Sequence, residues 1–227
     1  MILYWMSIAP VIPNNLKKLL FLIAFAFIIL CVNAQTIKHI QRINDIFYED
    51  YHALVNDTSI KSGLYIKKYK DYVIERGLFR NNKRFGKWAY FSLDGIFEFE
   101  YDHTNCKVVK ISTKHNPEDY LETPIFFYGS PIIPYLYMVR NIVYRSEAKN
   151  KNITGRVSLA INIDKTGQIT NFYIKEKLHP ILDREVIRVA KTMPTDWQWI
   201  PATYHGQNIS SEYLIDIEFE LIDKGER

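Results

Sequence analysis

Apolar and polar positions change period several times along the chain, and each change predicts a different element. Between residues 37 and 54, Ile37, Ile40, Ile43, Phe47, Tyr51 and Leu54 recur at helical spacing; Ile46-Phe47-Tyr48 also fits a strand, but the spacing favours a helix. Beyond Gly63, aromatic and β-branched residues cut by turn dipeptides predict a meander, with strands at Tyr72-Val73-Ile74, Gly77-Leu78-Phe79, residues 87–91 and residues 96–101. Asn81-Asn82-Lys83 and Leu93-Asp94-Gly95 lie between them, and Asn and Gly accept the positive φ that tight hairpin turns require. Residues 112–134 then hold Pro117, Pro124, Pro131 and Pro134 with Gly129, which excludes a long helix or a central strand and marks a joint. Inside that joint, Ile125-Phe126-Phe127-Tyr128 predicts a segment packed on the C-terminal domain, so the joint is stiff.

The pattern downstream is regular. Residues 136–149 allow a short helix. Residues 155–163 alternate, with Val157, Leu159, Ile161 and Ile163 on one side and Arg156, Ser158 and Asn162 on the other, as in a half-buried strand. Asp164-Lys165-Thr166-Gly167 supplies a turn, and Ile169, Phe172 and Ile174 continue as a partner strand whose phase slips near Thr170 or Asn171, the mark of a bulge. Pro180 opens a helix where its missing N–H costs nothing, Leu182, Val186, Val189 and Ala190 share one face, and Met193-Pro194 ends it. The last strand sets Tyr213, Ile215, Ile217, Phe219 and Leu221 against Asp216, Glu218 and Glu220. The order α-β-β-α-β predicts an α+β fold, an antiparallel sheet with its helices on one face, preceded by the β-meander.

The N-terminus carries a different signal. Lys17 and Lys18 precede an uninterrupted apolar run over residues 19–32 and then Asn33-Ala34-Gln35, the order of a secretory signal peptide cleaved between Ala34 and Gln35. The run is about 14 residues, short of the ~20 that cross a bilayer, so cleavage is the better reading and an uncleaved inner-membrane anchor the alternative. The protein is therefore expected to be exported, periplasmic or envelope-associated. Cys31 lacks the small preceding residue that lipoprotein processing wants, because Leu30 stands there. The expected organisation is a signal peptide over 1–34, a β-rich region over 35–116, a Pro-rich joint over 117–134 and a C-terminal domain over 124–227 that overlaps the joint.

Composition and charge narrow the chemistry. Taking Lys17 and Lys18 from 29 basic residues against 25 acidic ones lowers the net charge from +4 to +2, and the short basic patch of Arg80, Lys83, Arg84 and Lys87 is diluted by its neighbours. Nucleic-acid binding, which needs clustered cations to displace counterions, is not expected. Only Cys106 survives processing, so no intrachain disulfide forms and the fold rests on its core. His39, His52, His103, His115, His179 and His205 lack metal-ligand spacing, and no nucleophile elbow, phosphate loop or dinucleotide fingerprint occurs. The reading is a protein without catalytic residues, metal, cofactor or evident small-molecule substrate, in which Trp197 and Trp199 serve packing.

Two resemblances add to this. Residues 77–101, with Gly77, Gly86, Trp88, Tyr90 and Gly95, resemble a MORN-like hairpin repeat, in which aromatic faces stack. From about Pro124 to Leu221, Tyr144-Arg145-Ser146-Glu147-Ala148, Ile153-Thr154-Gly155-Arg156-Val157, residues 163–169, Leu182-Asp183, Trp199-Ile200-Pro201-Ala202 and Gly206 resemble the TonB C-terminal domain family in its exported Bacteroidetes-type versions. The departures are Arg145 where the family usually has Pro, and Val186 where Ala is common. The resemblance implies a domain that grips an extended segment of an outer-membrane receptor or another envelope protein by strand addition, through main-chain hydrogen bonds. It makes the strand around Ser211, Tyr213 and Ile215 the candidate docking edge. A long Pro-rich spacer and a retained membrane helix, the other parts of an energy transducer, are not evident. The alternative is a scaffolding envelope protein that binds through the aromatic meander, and exposed strand edges also allow a homodimer.

Overall fold

The computed structural model describes residues 35–114 and 120–221. The expected cleavage site at Ala34, the apolar run before it, and His115 and Pro117 lie outside the described residues; Gln35 is described and is exposed.

Seven strands form one antiparallel sheet in which every strand pairs with its sequence neighbour: β1 (Thr36–Arg42), β2 (Phe47–Leu54), β3 (Asp57–Tyr69), β4 (Tyr72–Arg80), β5 (Lys83–Phe91), β6 (Phe97–Asp102) and β7 (Lys107–Ile111). The helix expected over residues 37–54 is not formed; its residues make the β1–β2 hairpin. The turn is closed by Asn44, whose side-chain carbonyl accepts from the backbone N–H of Ile46 and Phe47 at 3.0 and 2.9 Å. This local bonding competes with a helix, as Asn side chains commonly do. Tyr72-Val73-Ile74 and Gly77-Leu78-Phe79 belong to one strand, β4. Gly77 sits in its middle because an added Cβ would fall 2.3 Å from the Trp88 indole. The expected turns hold, with Asn81, Asn82, Asp94 and Gly95 all at positive φ.

One face of the meander buries Tyr65, Trp88, Tyr90, Phe99 and Tyr101. Trp88 and Tyr90 stand on the same face two residues apart, both fully buried, with Trp88 Nε1 donating to the Leu78 carbonyl at 3.0 Å. In β4 the pairing jumps from Lys67↔Glu75 to Lys68↔Val73, leaving Ile74 as an extra residue. Such a bulge re-aims side chains, and here the consecutive residues Ile74 and Glu75 are both buried, which a regular strand would not permit.

The C-terminal sheet has the order β10 (Ile169–Glu176), β9 (Gly155–Ile163), β14 (Ser211–Phe219). Its apolar face carries Val157, Leu159, Ile161, Ile163, Ile215, Ile217 and Phe219, and is covered by α1 (Ile132–Asn141) and α3 (Pro180–Ala190). Leu182, Val186, Val189 and Ala190 of α3 are fully buried, and the phase slip expected near Thr170 is a register shift between Ile169 and Asn171. The helix allowed over residues 136–149 is two helices, α1 and α2 (Ser146–Asn150). They separate because the Val143 N–H donates to Glu185 Oε1 of α3 at 2.9 Å instead of continuing α1. α1 also begins inside the Pro-rich joint: Pro131 is its N-cap and Pro134 lies in its first turn, where backbone N–H groups have no intrahelical partner.

The remaining short strands connect the two sheets. β8 (Phe126–Phe127) pairs with β11 (Trp199–Ile200), β12 (Ala202–Tyr204) pairs with β13 (Gln207–Ile209), and Thr123 bridges Thr203. β8 faces two ways. Ile125 and Phe127 enter the C-terminal core, whereas Phe126 and Tyr128 pack on the meander's aromatic face, with Phe126 stacked on Phe99 at 4.1 Å between centroids.

Gly167, in the turn between β9 and β10, has φ +85°, and a Cβ there would stand 2.3 Å from the Trp199 carbonyl oxygen. Backbone strain and a backbone clash combine, so Gly167→Ala is expected to cost on the order of 3 kcal/mol. A shift in the urea midpoint at unchanged m-value measures it.

Candidate functional site

The residues proposed from sequence as a docking edge lie on β14, which is paired over nine residues with β9, from Ser211↔Ile163 to Phe219↔Gly155. Among the described residues it has no strand on its other side. The named side chains turn inward: Ile215 is buried and Tyr213 packs on Trp199 with the rings tilted by 56° and 4.5 Å between centroids. Burial pushes the Tyr213 phenol far above its ordinary range, with the Glu98 carboxylate adding to the shift. A strand laid along β14 would therefore meet its main chain and the alternate side chains Glu212, Leu214, Asp216 and Glu218. Leu214 is 47 % exposed.

Those alternate positions are mostly held in cross-strand pairs. Glu212 accepts from Lys175 at 2.8 Å and from the Tyr173 hydroxyl, which holds its carboxyl below the usual range; the Lys175 bond is the larger cause. Arg156 of β9 lies between Glu176 at 3.5 Å and Asp216 at 3.7 Å. These exposed pairs fix side-chain positions more than they add stability. On the helical side, Glu185 is 1 % exposed and accepts from Arg188 Nε at 2.9 Å, Arg188 NH2 at 2.6 Å and the Val143 N–H. The Arg188 bond is the main reason its carboxyl falls to about 2.

A second constellation, not identified from sequence, ties the meander to β8. Glu75, 1 % exposed, accepts from Arg84 NH2 at 3.0 Å and from the Ser130 N–H at 3.0 Å. Arg84 NH1 donates to the Tyr128 carbonyl at 2.8 Å and to the Tyr90 hydroxyl at 3.1 Å. The Tyr90 hydroxyl also meets His103 Nε2 at 2.7 Å and the Tyr128 hydroxyl meets His103 Nδ1 at 2.7 Å, so a neutral imidazole donates to one of these hydroxyls and accepts from the other. The five side chains come from β4, β5, the turn after β6 and the end of β8, so no local pattern joins them. The one sequence signal is a pair of charged residues, Glu75 and Arg84, among the aromatics of an inward face.

Burial, followed by the Arg84 charge, lowers His103 from its ordinary 6.5 to about 3, against a smaller opposing effect of Asp102. The unfolded chain takes up this proton near pH 6.5 and the folded chain only near 3, so the unfolded state binds more protons in between. Stability is therefore expected to fall as pH is lowered from about 6.5 toward 3. Urea midpoints between pH 7 and 4 test this, and His103→Gln should flatten the slope. The remaining described histidines are dispersed: His39 stacks on Tyr51, His52 meets the Leu64 carbonyl, His179 caps α3 and His205 occupies a turn. Among the described residues no group of three His, Cys, Asp or Glu side chains is placed to hold a metal ion.

A three-stranded antiparallel sheet backed by helices, ending in a long strand paired on one side, defines a small α+β module whose distinctive surface is a sheet edge rather than a cleft. Residues 140–221 match the family described as Gram-negative bacterial TonB protein C-terminal, so this part of the chain is similar to TonB C-terminal domains. No curated protein matches the chain. No helix among the described residues is long and apolar enough to cross a membrane.

Proposed function

We propose that this is an exported envelope protein whose C-terminal sheet binds an extended segment of an outer-membrane receptor, or of another envelope protein, by strand addition along β14. The observation that carries the reading is the edge position of β14, with nine residues paired to β9 and its other side open among the described residues, inside a domain matched by the TonB C-terminal family. Domains of this family act by binding envelope proteins and not by catalysis. Main-chain hydrogen bonds would give the affinity and Leu214 the apolar contact. The residues named from sequence, Ser211, Tyr213 and Ile215, then contribute backbone, and their side chains keep the strand seated on the core.

Photo-cross-linking residues placed at Leu214 and Glu218 in cells test the reading. The expected result is a cross-link to one contiguous segment of an outer-membrane receptor or other envelope protein, mapped by mass spectrometry. Absence of partner cross-links from both sites, with such cross-links from Leu64 on the meander, would falsify it. Export is tested separately by the mass of the mature N-terminus, expected at Gln35 in the periplasmic fraction; an intact chain in the inner membrane overturns that part. In the scaffolding alternative the contact would be made by exposed meander residues such as Leu64 and Leu78, since Trp88 and Tyr90 are fully buried.

A further inference from the structure

Arg145, where this chain departs from the family's usual Pro, has no part in strand pairing. Its guanidinium NH2 meets Oε2 of the buried Glu185 at 3.4 Å. Arg188 Nε donates to that same oxygen at 2.9 Å, so one carboxylate oxygen sets two guanidinium groups side by side. Arg184 is exposed one turn before Arg188 on the same side of α3, and is paired with no group among the described residues. The three arginines, with Glu147 and Ile181, line a shallow cavity of about 390 Å³ above Glu185. No residue of β14 lines it.

We infer that Arg145, Arg184 and Arg188 form a binding site for a phosphate monoester group. Both oxygens of Glu185 are engaged within the fold: Oε1 accepts from the Val143 N–H and Arg188 NH2, and Oε2 from Arg188 Nε and Arg145 NH2. The NH1 end of Arg188, the rest of the Arg145 fork and the whole of Arg184 keep N–H donors for a ligand. Glu147 is held by Lys151 at 3.1 Å, and that pair is neutral; three guanidinium charges against the one carboxylate of Glu185 then leave a net +2 in the cavity. A carboxylate ligand brings two coplanar oxygens and a single charge. A phosphate monoester brings three acceptor oxygens and a charge of about −1.5 to −2, which matches both the donors and the net charge. Guanidinium forks suit such oxygens better than ammonium groups do, and Ile181 with the arginine stems leaves an apolar wall for the carbon side of the ester. Glu185 acts as a positioning residue, because it orders two of the three guanidinium groups during folding and so lowers the entropy lost when a ligand binds.

Calorimetric titration of the full chain with glycerol 3-phosphate at low ionic strength tests the inference. Saturable one-to-one binding is expected, with inorganic phosphate competing and acetate at the same concentration failing to compete. Arg184→Gln, at an exposed position, should raise the Kd about tenfold or more. Arg145→Pro should do the same with the fold intact by circular dichroism, because Arg145 already has φ −64°, the value that proline imposes. Lys83→Gln removes one charge from the meander and should leave the Kd unchanged. Absence of saturable binding at millimolar ligand, equal competition by acetate, or an equal loss in Lys83→Gln overturns the inference. Vesicles of phosphatidylcholine with and without phosphatidic acid distinguish the sources of the group. Co-sedimentation that needs phosphatidic acid and is reversed by glycerol 3-phosphate places the phosphate on a lipid headgroup; binding of glycerol 3-phosphate without co-sedimentation assigns a soluble ester. Both results uphold the site, and neither bears on strand addition at β14.

Discussion

Replacing Arg84 by Met is expected to destabilise the protein by about 3–5 kcal/mol, because it leaves the Glu75 carboxylate buried without its counter-charge. The loss is larger than for an exposed pair because Glu75 is 1 % exposed and water cannot replace the guanidinium. Arg84 also donates to the Tyr128 carbonyl and the Tyr90 hydroxyl, so its removal weakens the tie between the meander and β8. The measurement is a double-mutant cycle in urea with Glu75→Gln. Arg84→Met should cost much less when Glu75 is already neutral, and purely additive costs would show that the pair is not coupled.

Trp88→Ala should cost about 3–5 kcal/mol as well, by a different mechanism: loss of apolar burial together with a cavity that its neighbours cannot fill. Trp88 is fully buried and packs on Tyr65 at 5.3 Å and Phe79 at 5.1 Å between centroids, with Gly77 directly beneath it. Collapse is limited because Phe79 and Tyr65 are set by their own strand registers. The expected signature is a lower urea midpoint, and loss of the Trp88 contribution to near-ultraviolet circular dichroism. Since Trp88 faces inward, any loss of partner binding in this variant should follow loss of fold, whereas a binding defect with unchanged stability would contradict that inward packing.

The parts of the fold legible in the sequence are those whose burial alternates locally. In β14 every second residue from Ile215 to Phe219 is buried, and in α3 the residues at i, i+4, i+7 and i+8 are, so period and burial coincide there; in β9 Val157, Leu159, Ile161 and Ile163 enter the core as the alternation predicts, although Ser158 and Ala160 between them are buried as well. The residues of 37–54 mislead for the same reason: β1 is an edge strand with exposed isoleucines, and its apolar spacing reflects no buried face. In β3, Lys61, Lys67 and Lys68 mask a strand of thirteen residues. β8 and β11 are two residues each and exist only because the chain returns from distant positions to pair them. The resemblance puts the candidate docking edge on β14, but which side chains of that strand face outward, Glu212 and Leu214 rather than Tyr213 and Ile215, follows from the sheet's position on its helices.

By itself the sequence determined the C-terminal α-β-β-α-β order and the hairpin turns at Asn81-Asn82 and Asp94-Gly95, because each depends on local backbone preference. Tertiary structure alone decided that Ile74 and Glu75 are buried together, that Glu75, Arg84, Tyr90, His103 and Tyr128 meet, and that β14 has no strand on its outer side among the described residues. Those features require groups far apart in the chain to share one place, and their energies come from desolvation and strand pairing, which no local pattern records.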